Sequence, residues 1–106
     1  MRAIQNYING KAASSSGGRA GRVSNPNTGA QQAEVAFSAA RDVDAAVQAA
    51  LAAFPGWAAT NPQRRARVMF NFKSLIEKNV DELAHLLSSE HGKVLADARG
   101  DIQRGL

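Results

Sequence analysis

The sequence contains no cysteine and only two histidines among its 106 residues. Without thiols, these residues cannot form a disulfide, a thiolate metal site or a cysteine nucleophile. The two histidines, His85 and His91, are too few for a histidine-rich metal site. Neither has the serine, carboxylate and oxyanion donors of a catalytic triad nearby in the sequence, so we expect structural roles for both.

Aromatic residues and long apolar runs are also scarce. Aromatics make up 6% of the chain, and alanine inflates the hydrophobic fraction of 44%. No apolar run approaches the roughly 18 residues that indicate a transmembrane helix. Residues 1–11 have no apolar stretch of signal-peptide length. We therefore expect a cytoplasmic protein without a membrane partner.

The net charge of +4 raises the possibility of a nucleic-acid partner. Residues 1–40 hold four basic side chains and one acidic one, whereas residues 41–106 hold nine basic and eight acidic ones. The excess charge is spread along a loop-rich arm and is not focused on a helix face. We predict no nucleic-acid binding; a salt-sensitive contact through the arm is the alternative.

Turn signals dominate the first third of the chain. Asn9-Gly10 between short strand-like runs predicts a type I′ hairpin turn, and the small polar residues 14–21 predict a mobile loop. Pro26 and Asn27-Thr28-Gly29 then predict a turn between two strands. In the second of these strands the predicted inward-facing residues are Ala33, Val35 and Phe37.

Helical periodicity begins at about Ala39, and Ser38 is the predicted N-cap of the first helix. Pro55-Gly56 predicts its end, and Asn61-Pro62 predicts the start of the second helix. The apolar stripe of the first helix is Val43, Ala46, Val47, Ala50, Leu51 and Phe54; that of the second is Val68, Met69, Phe72, Leu75 and Ile76.

Two further helices follow. Asn79 and Glu82 resemble a capping box for the third helix, Gly92 is the predicted C′ residue just after its last residue His91, and the fourth helix starts near Val94. No stop signal follows the last periodic residue, Leu106, so we expect the front end of a larger enzyme. The predicted class is α+β without a βαβ unit, with a β-hairpin arm at residues 1–38 and a helical segment at 39–106. Because four apolar stripes exceed what one small sheet can cover, we predict an exposed apolar patch.

Two clusters, one glycine-rich and one basic, are candidate binding sites. Gly17–Gly21 lack the spacing of a phosphate loop, and no predicted helix opens after them, so a flexible loop is favoured. Arg64, Arg65 and Arg67 oppose the helix dipole, which indicates either acidic partners or a solvated face.

The fourth helix carries its own charges. Asp97 and Asp101 lie one turn apart and repel each other unless a cation is near. Arg104 is expected on the surface in an ion pair with Asp101, three residues before it.

Five segments together resemble the N-terminal part of the aldehyde dehydrogenase superfamily. They are YINGK, NPNTG, VDAAVQAALAAFPGWAAT, RRARVMFNFKSLIEKN and EHGKVLADARGDIQRGL, and they span about residues 7–106. Most members carry threonine where this sequence has His91. The run Gly100–Gly105 is similar to that of methylmalonate-semialdehyde dehydrogenases, the CoA-acylating branch.

The resemblance implies an NAD-dependent oxidoreductase that converts methylmalonate or malonate semialdehyde to an acyl-CoA and carbon dioxide. In that family a cysteine attacks the aldehyde, NAD accepts hydride and CoA accepts the acyl group. The counterpart of Arg104 binds the substrate carboxylate, which a guanidinium can hold in a planar fork. Asp101 matches an acidic residue, usually Glu in this branch, at a monovalent-cation site of some relatives.

The family's catalytic cysteine and dinucleotide-binding turn lie downstream of the matched segment. The resemblance therefore implies no catalytic or cofactor-binding residue within these 106 residues, and a homo-oligomeric parent enzyme. The helical residues would belong to its cofactor-binding domain, without the Rossmann-like core. An aldehyde dehydrogenase of another branch and a helical interaction module are the alternatives.

Overall fold

The computed structural model describes residues 1–106, which form five strands and four helices. The strands are β1 (Arg2–Ile4), β2 (Asn6–Ile8), β3 (Lys11–Ala13), β4 (Arg19–Ser24) and β5 (Gln31–Phe37). The helices are α1 (Ala40–Ala58), α2 (Pro62–Lys78), α3 (Val80–His91) and α4 (Leu95–Gly105). The predicted α+β class is confirmed. None of the helices combines the length and apolar character that spanning a membrane requires.

The residues form two compact units. The first unit comprises Met1–Val23 and Gln31–Thr60, and the second comprises Ser24–Ala30 and Asn61–Leu106. The expected division into an arm at 1–38 and a helical segment at 39–106 concerns the complete parent fold and stays a prediction.

The first unit opens with the predicted hairpin. Asn9 and Gly10 have φ values of 53° and 77°, the left-handed backbone that a type I′ turn requires at both central residues. Strands β2 and β3 pair antiparallel around this turn. The Tyr7 hydroxyl donates a hydrogen bond to the Gly10 carbonyl at 2.9 Å and closes the loop. The hairpin prediction is confirmed.

A second sheet has the order β1-β5-β4, and β1 runs parallel to β5. No helix lies between β1 and β5 along the chain, so the pair is not a βαβ unit. This long-range pairing was not predicted. Ala33, at the centre of β5, is fully buried, as expected.

Two predictions about this sheet were wrong. Residues 19–21 belong to strand β4 and not to a loop, and Phe37 is 47% exposed. A close contact explains why glycine lies in this strand, because a Cβ placed on Gly21 would lie 2.4 Å from the Phe37 ring. The Phe37 ring packs against the backbone of β4. Gly21 is needed there because it lets the ring approach closely, and not because it makes the chain mobile.

Helix α1 is capped differently from the prediction. Ser38 donates its hydroxyl hydrogen to Asn6 Oδ1 at 2.8 Å, and Ala39 is the N-cap residue. Asp42 Oδ2 accepts the Ala39 N–H at 2.8 Å, and its carboxylate also accepts the Ser16 N–H at 3.0 Å. One acidic side chain therefore fixes both the helix start and the loop before β4.

The predicted helix end at Pro55-Gly56 was also wrong. The helix continues to Ala58 with Pro55 inside its last turns. Proline removes one backbone donor, but its carbonyl still accepts the N–H of Ala59 at 3.0 Å. The bonding pattern therefore resumes immediately after the proline.

In the second unit, the start of α2 is as predicted. Asn61 Oδ1 accepts the Gln63 N–H at 2.8 Å, and Pro62 is the first helical residue. The predicted capping box at Asn79 is wrong, because the Asn79 side chain turns back and donates to the Leu75 carbonyl at 2.7 Å. The Asn79 side chain therefore closes α2, while its backbone carbonyl accepts the Leu83 N–H at 3.0 Å as the N-cap of α3.

Gly92 ends α3, as predicted. Its φ of +88° is left-handed, and its N–H donates to the Ser88 carbonyl at 2.8 Å. A Cβ at this position would lie 2.9 Å from Pro26 Cγ and 3.2 Å from Asn27 Oδ1. The turn at residues 25–30, where Asn25 Oδ1 accepts the Asn27 N–H at 2.9 Å, thus packs directly against the α3–α4 junction.

The buried apolar core is small. Only Ala33, Ala84 and Ala98 are fully buried hydrophobic residues, and no large side chain is. Most of the large residues of the predicted stripes are exposed: Val43, Val47, Leu51 and Phe54 on α1, and Val68, Met69, Phe72 and Leu75 on α2. The predicted exposed apolar surface is confirmed.

The Gly92 turn generates a stability prediction. Replacing Gly92 with alanine should lower the free energy of unfolding by at least about 1 kcal/mol, because a left-handed non-glycine residue costs about 1–2 kcal/mol and the methyl group meets Pro26. Urea denaturation followed by circular dichroism measures the change. Gly56→Ala is the matched control, since nothing lies within 4 Å of its Cβ and alanine favours the helix by about 0.5–1 kcal/mol. Equal effects of both substitutions would contradict the proposed strain.

The Asp42 cap generates a pH-dependent prediction. The Ala39 N–H foremost, with the Ser16 and Ser15 groups, holds the pKa of Asp42 below its ordinary value of 3.8. The ionised carboxylate therefore stabilises the fold above about pH 4, and this contribution disappears as the pH falls below that value. Asp42→Asn should lower the Tm at about pH 7, and its difference from the wild type should shrink under acid conditions.

Asp44→Asn is the control for this substitution, because Asp44 lies in the same helix and makes none of these contacts. Thermal melts over a series of pH values measure both variants. A constant difference between Asp42→Asn and the wild type across the acid range would show that the charge does not act as a cap.

Candidate functional site

The candidate site lies where α3 turns into α4. Gly92 reverses the chain, and the Ser88 hydroxyl donates to the Lys93 carbonyl at 2.7 Å. These contacts fix the backbone from which the Lys93 side chain extends. Asp101 and Arg104 lie three residues apart on α4, so their side chains emerge from one face of the helix.

These three side chains form what we call the α4 charge cluster: Lys93, Asp101 and Arg104. One oxygen of Asp101, Oδ2, contacts Lys93 Nζ, and the other, Oδ1, contacts Arg104 Nη2. The predicted ion pair between Arg104 and Asp101 is therefore present. From the sequence, Asp97 and Asp101 are expected to repel each other unless a cation is near. Lys93 is such a cation, because it contacts Asp101.

Burial differs sharply across the cluster. The side chains of Lys93 and Asp101 are 21% and 29% exposed, whereas that of Arg104 is 74% exposed. Within these three groups, two positive charges face one negative charge, so the cluster itself carries one net positive charge. The exposed member is the arginine, whose planar guanidinium has five N–H donors. The cluster can therefore present donors and positive charge to an anionic group from solvent.

Gly100 leaves space beside this guanidinium. A Cβ at Gly100 would lie 3.8 Å from Arg104 Nη1, in ordinary van der Waals contact. A larger side chain at that position would reach further towards the guanidinium. The absence of a side chain one turn before Arg104 keeps its approach open.

An apolar groove adjoins the C-terminal end of α4. It has a volume of about 480 Å³, and the residues that line it include Met69, Phe70, Phe72, Ile76 and Leu106. Gly105, the residue after Arg104, also lines it. The groove and the charge cluster thus meet at the same end of one helix.

A second ion pair joins α3 to α4 away from the cluster. Arg99 Nε donates to Asp81 Oδ1 at 3.0 Å, and both side chains are well exposed. This pair contains one charge of each sign and has no net charge. It offers an internal comparison for the α4 charge cluster.

The metal prediction at Asp101 is not settled by these contacts. Both of its oxygens face cationic side chains, and no group of three or more His, Cys, Asp or Glu residues comes together in the chain. A monovalent cation can also be held by backbone carbonyls, so the role of Asp101 there stays a prediction.

The other sequence candidates lie elsewhere. Gly17 and Gly18 precede strand β4, and no helix N-terminus follows them to hold a phosphate. Arg65 is partly buried, and its Nε has no hydrogen-bond partner. His91 is the last residue of α3, where a cation would favour the helix dipole. His85 lies within the same helix.

Lys93 was missed by the sequence analysis. It lies outside both helices and eight residues before Asp101, so neither helical spacing nor an apolar stripe singles it out. The available signal was the left-handed Gly92 immediately before it, which predicts a chain reversal and hence a contact with the next helix.

The model of the aldehyde dehydrogenase family matches residues 12–106. Malonate-semialdehyde dehydrogenase 1 of Shouchella clausii is 42% identical over the whole chain, and the malonate-semialdehyde dehydrogenase of Pseudomonas aeruginosa is 40% identical. The chain covers 22% and 21% of these two relatives, respectively.

Solved structures agree with these matches. A Sinorhizobium meliloti structure complexed with NAD, provisionally named a methylmalonate-semialdehyde dehydrogenase, has a TM-score of 0.98 and 50% identity over the whole chain. The methylmalonate-semialdehyde dehydrogenase of Oceanimonas doudoroffii has a TM-score of 0.95 and 42% identity over 99% of the chain. The chain covers 22% and 21% of these structures, and its fold is that of their N-terminal part.

Proposed function

Since the chain belongs to the aldehyde dehydrogenase family, we propose that it is the N-terminal segment of a CoA-acylating malonate- or methylmalonate-semialdehyde dehydrogenase. The complete enzyme would oxidise the semialdehyde with NAD, release carbon dioxide and form acetyl- or propionyl-CoA. It would act as a cytoplasmic homo-oligomer. The observation that carries the proposal is the 42% identity to a malonate-semialdehyde dehydrogenase across all 106 residues.

The α4 charge cluster supports a substrate with a negative charge. Malonate and methylmalonate semialdehydes carry a carboxylate next to the reacting aldehyde group. Arg104 is the exposed member of the cluster and presents donors in the planar geometry that a carboxylate accepts. We propose that Arg104 binds this carboxylate and orients the aldehyde.

The remaining machinery would come from other parts of the complete enzyme. These 106 residues contain no cysteine, so the proposed nucleophile lies outside them. The glycine-rich residues before β4 do not open a helix, so they do not fit a dinucleotide pyrophosphate. We therefore assign no residue of this chain to NAD or CoA and propose that the chain alone is not catalytically competent.

Arg104 provides the direct test of this function. In the complete enzyme, Arg104→Ala should reduce kcat/KM for malonate semialdehyde by roughly ten- to a hundredfold, because a hydrogen bond to a charged group contributes about 1.5–3 kcal/mol. The reduction for propanal, which has no carboxylate, should be much smaller. Steady-state kinetics with both aldehydes measures the ratio.

Arg99→Ala is the matched control. Arg99 lies on the same helix and is also held by one carboxylate, that of Asp81, but outside the cluster. Its replacement should leave the ratio of the two kcat/KM values unchanged. Equal losses on both aldehydes in Arg104→Ala would refute carboxylate binding by Arg104.

The exposed apolar stripes provide a second test, because the proposal requires the rest of the parent chain to cover them. The isolated 106-residue chain should bind a hydrophobic dye and self-associate. The complete enzyme should bind far less dye per chain. Leu51→Lys and Phe72→Lys should each reduce dye binding by the isolated chain. Similar dye binding by the isolated chain and the complete enzyme would contradict the proposal that the rest of the parent chain covers the apolar stripes.

A further inference from the structure

We propose that Lys93 and Asp101 are positioning residues that set the orientation and the net charge of Arg104. Asp101 holds the guanidinium through Oδ1, and Lys93 offsets the negative charge of Asp101 through Oδ2. The proposal rests on the carboxylate-binding role of Arg104 proposed above. It extends substrate selection from one residue to three.

Lys93 determines the net charge of the α4 charge cluster. An arginine paired with a single carboxylate forms a neutral unit, as Arg99 and Asp81 do. Such a unit attracts a second carboxylate poorly, because the first carboxylate repels it. Lys93 changes this balance, because its ammonium group satisfies the other oxygen of Asp101 and leaves one net positive charge for the substrate.

Asp101 and Lys93 together restrict the Arg104 side chain. Arg104 alone is a long, largely exposed side chain with many accessible rotamers, and fixing it costs conformational entropy. Asp101 is shorter and mostly covered, and Lys93 holds it from the backbone that Gly92 and Ser88 position. The guanidinium is thereby held before the substrate arrives, so less entropy is lost on binding.

Single substitutions in the complete enzyme separate the effect of the net charge from the effect of anchoring Arg104. Lys93→Met makes the cluster neutral and should raise KM for malonate semialdehyde by about fivefold or more, with kcat and the propanal kinetics changed by less than about twofold. Lys93→Arg keeps the charge and should restore most of the affinity. Asp101→Asn makes the cluster more positive, yet it should reduce kcat/KM for malonate semialdehyde, because the guanidinium loses its anchor.

The double variant Lys93→Met/Asp101→Asn tests the charge balance directly. With Asp101 neutral there is no negative charge for Lys93 to offset, so adding Lys93→Met to Asp101→Asn should raise KM for malonate semialdehyde by less than Lys93→Met raises it in the wild type. An equal or larger increase would overturn the compensating role of Lys93. Tighter binding of the substrate by Asp101→Asn would overturn the anchoring role of Asp101.

Controls distinguish this inference from the proposed function. Asp81→Asn removes the carboxylate of the neutral pair and should leave the preference for the carboxylated aldehyde unchanged. If Arg104→Ala removes the preference while Lys93→Met and Asp101→Asn keep it, the positioning inference fails and the proposed function stands. If the wild-type enzyme shows no preference for the carboxylated aldehyde, both fail.

Discussion

The left-handed backbone at Gly92 is the constraint on which the second unit depends. With φ at +88°, the chain reverses between α3 and α4, and α4 returns alongside α3. The same residue has no side chain, so Pro26 can approach its Cα closely. Glycine satisfies both demands, the positive φ and the close contact, and no other residue does so without strain. The turn at 25–30, the end of α3 and the start of α4 therefore meet at one residue.

The chemistry of the α4 charge cluster follows from this geometry. Lys93 comes directly after the reversal, so its side chain reaches back to Asp101, two turns along α4. The lysine ammonium and the arginine guanidinium then share one carboxylate. Because the covered cation is the lysine and the exposed one is the arginine, the planar donor group is the one that faces solvent. A structural turn thus determines which charge is available for recognition.

Local signals predicted the parts of the fold that local interactions determine. Asn9-Gly10, Asn61-Pro62 and Gly92 each restrict their own backbone, and all three have the predicted roles. The error at the start of α1 arose because distant residues compete for the local groups. The Asp42 carboxylate accepts the Ser16 N–H, and the Ser38 hydroxyl donates to Asn6 instead of capping α1. Neither contact can be read from helix-capping rules, because both partners lie more than twenty residues away.

The contrast between local and long-range interactions also explains which parts of the candidate site could be predicted. Arg104 and Asp101 are one turn apart on a single helix, so their ion pair follows from helical spacing alone. Lys93 joins them only because the chain reverses just before it. The effect of its charge, a net positive cluster, is evident only when all three groups are counted together. A pairwise view of α4 gives a neutral ion pair that resembles Arg99–Asp81 and has no evident use. With Lys93 included, the α4 charge cluster carries one net positive charge and the Arg99–Asp81 pair carries none, so of the two only the cluster attracts an anionic group by its net charge.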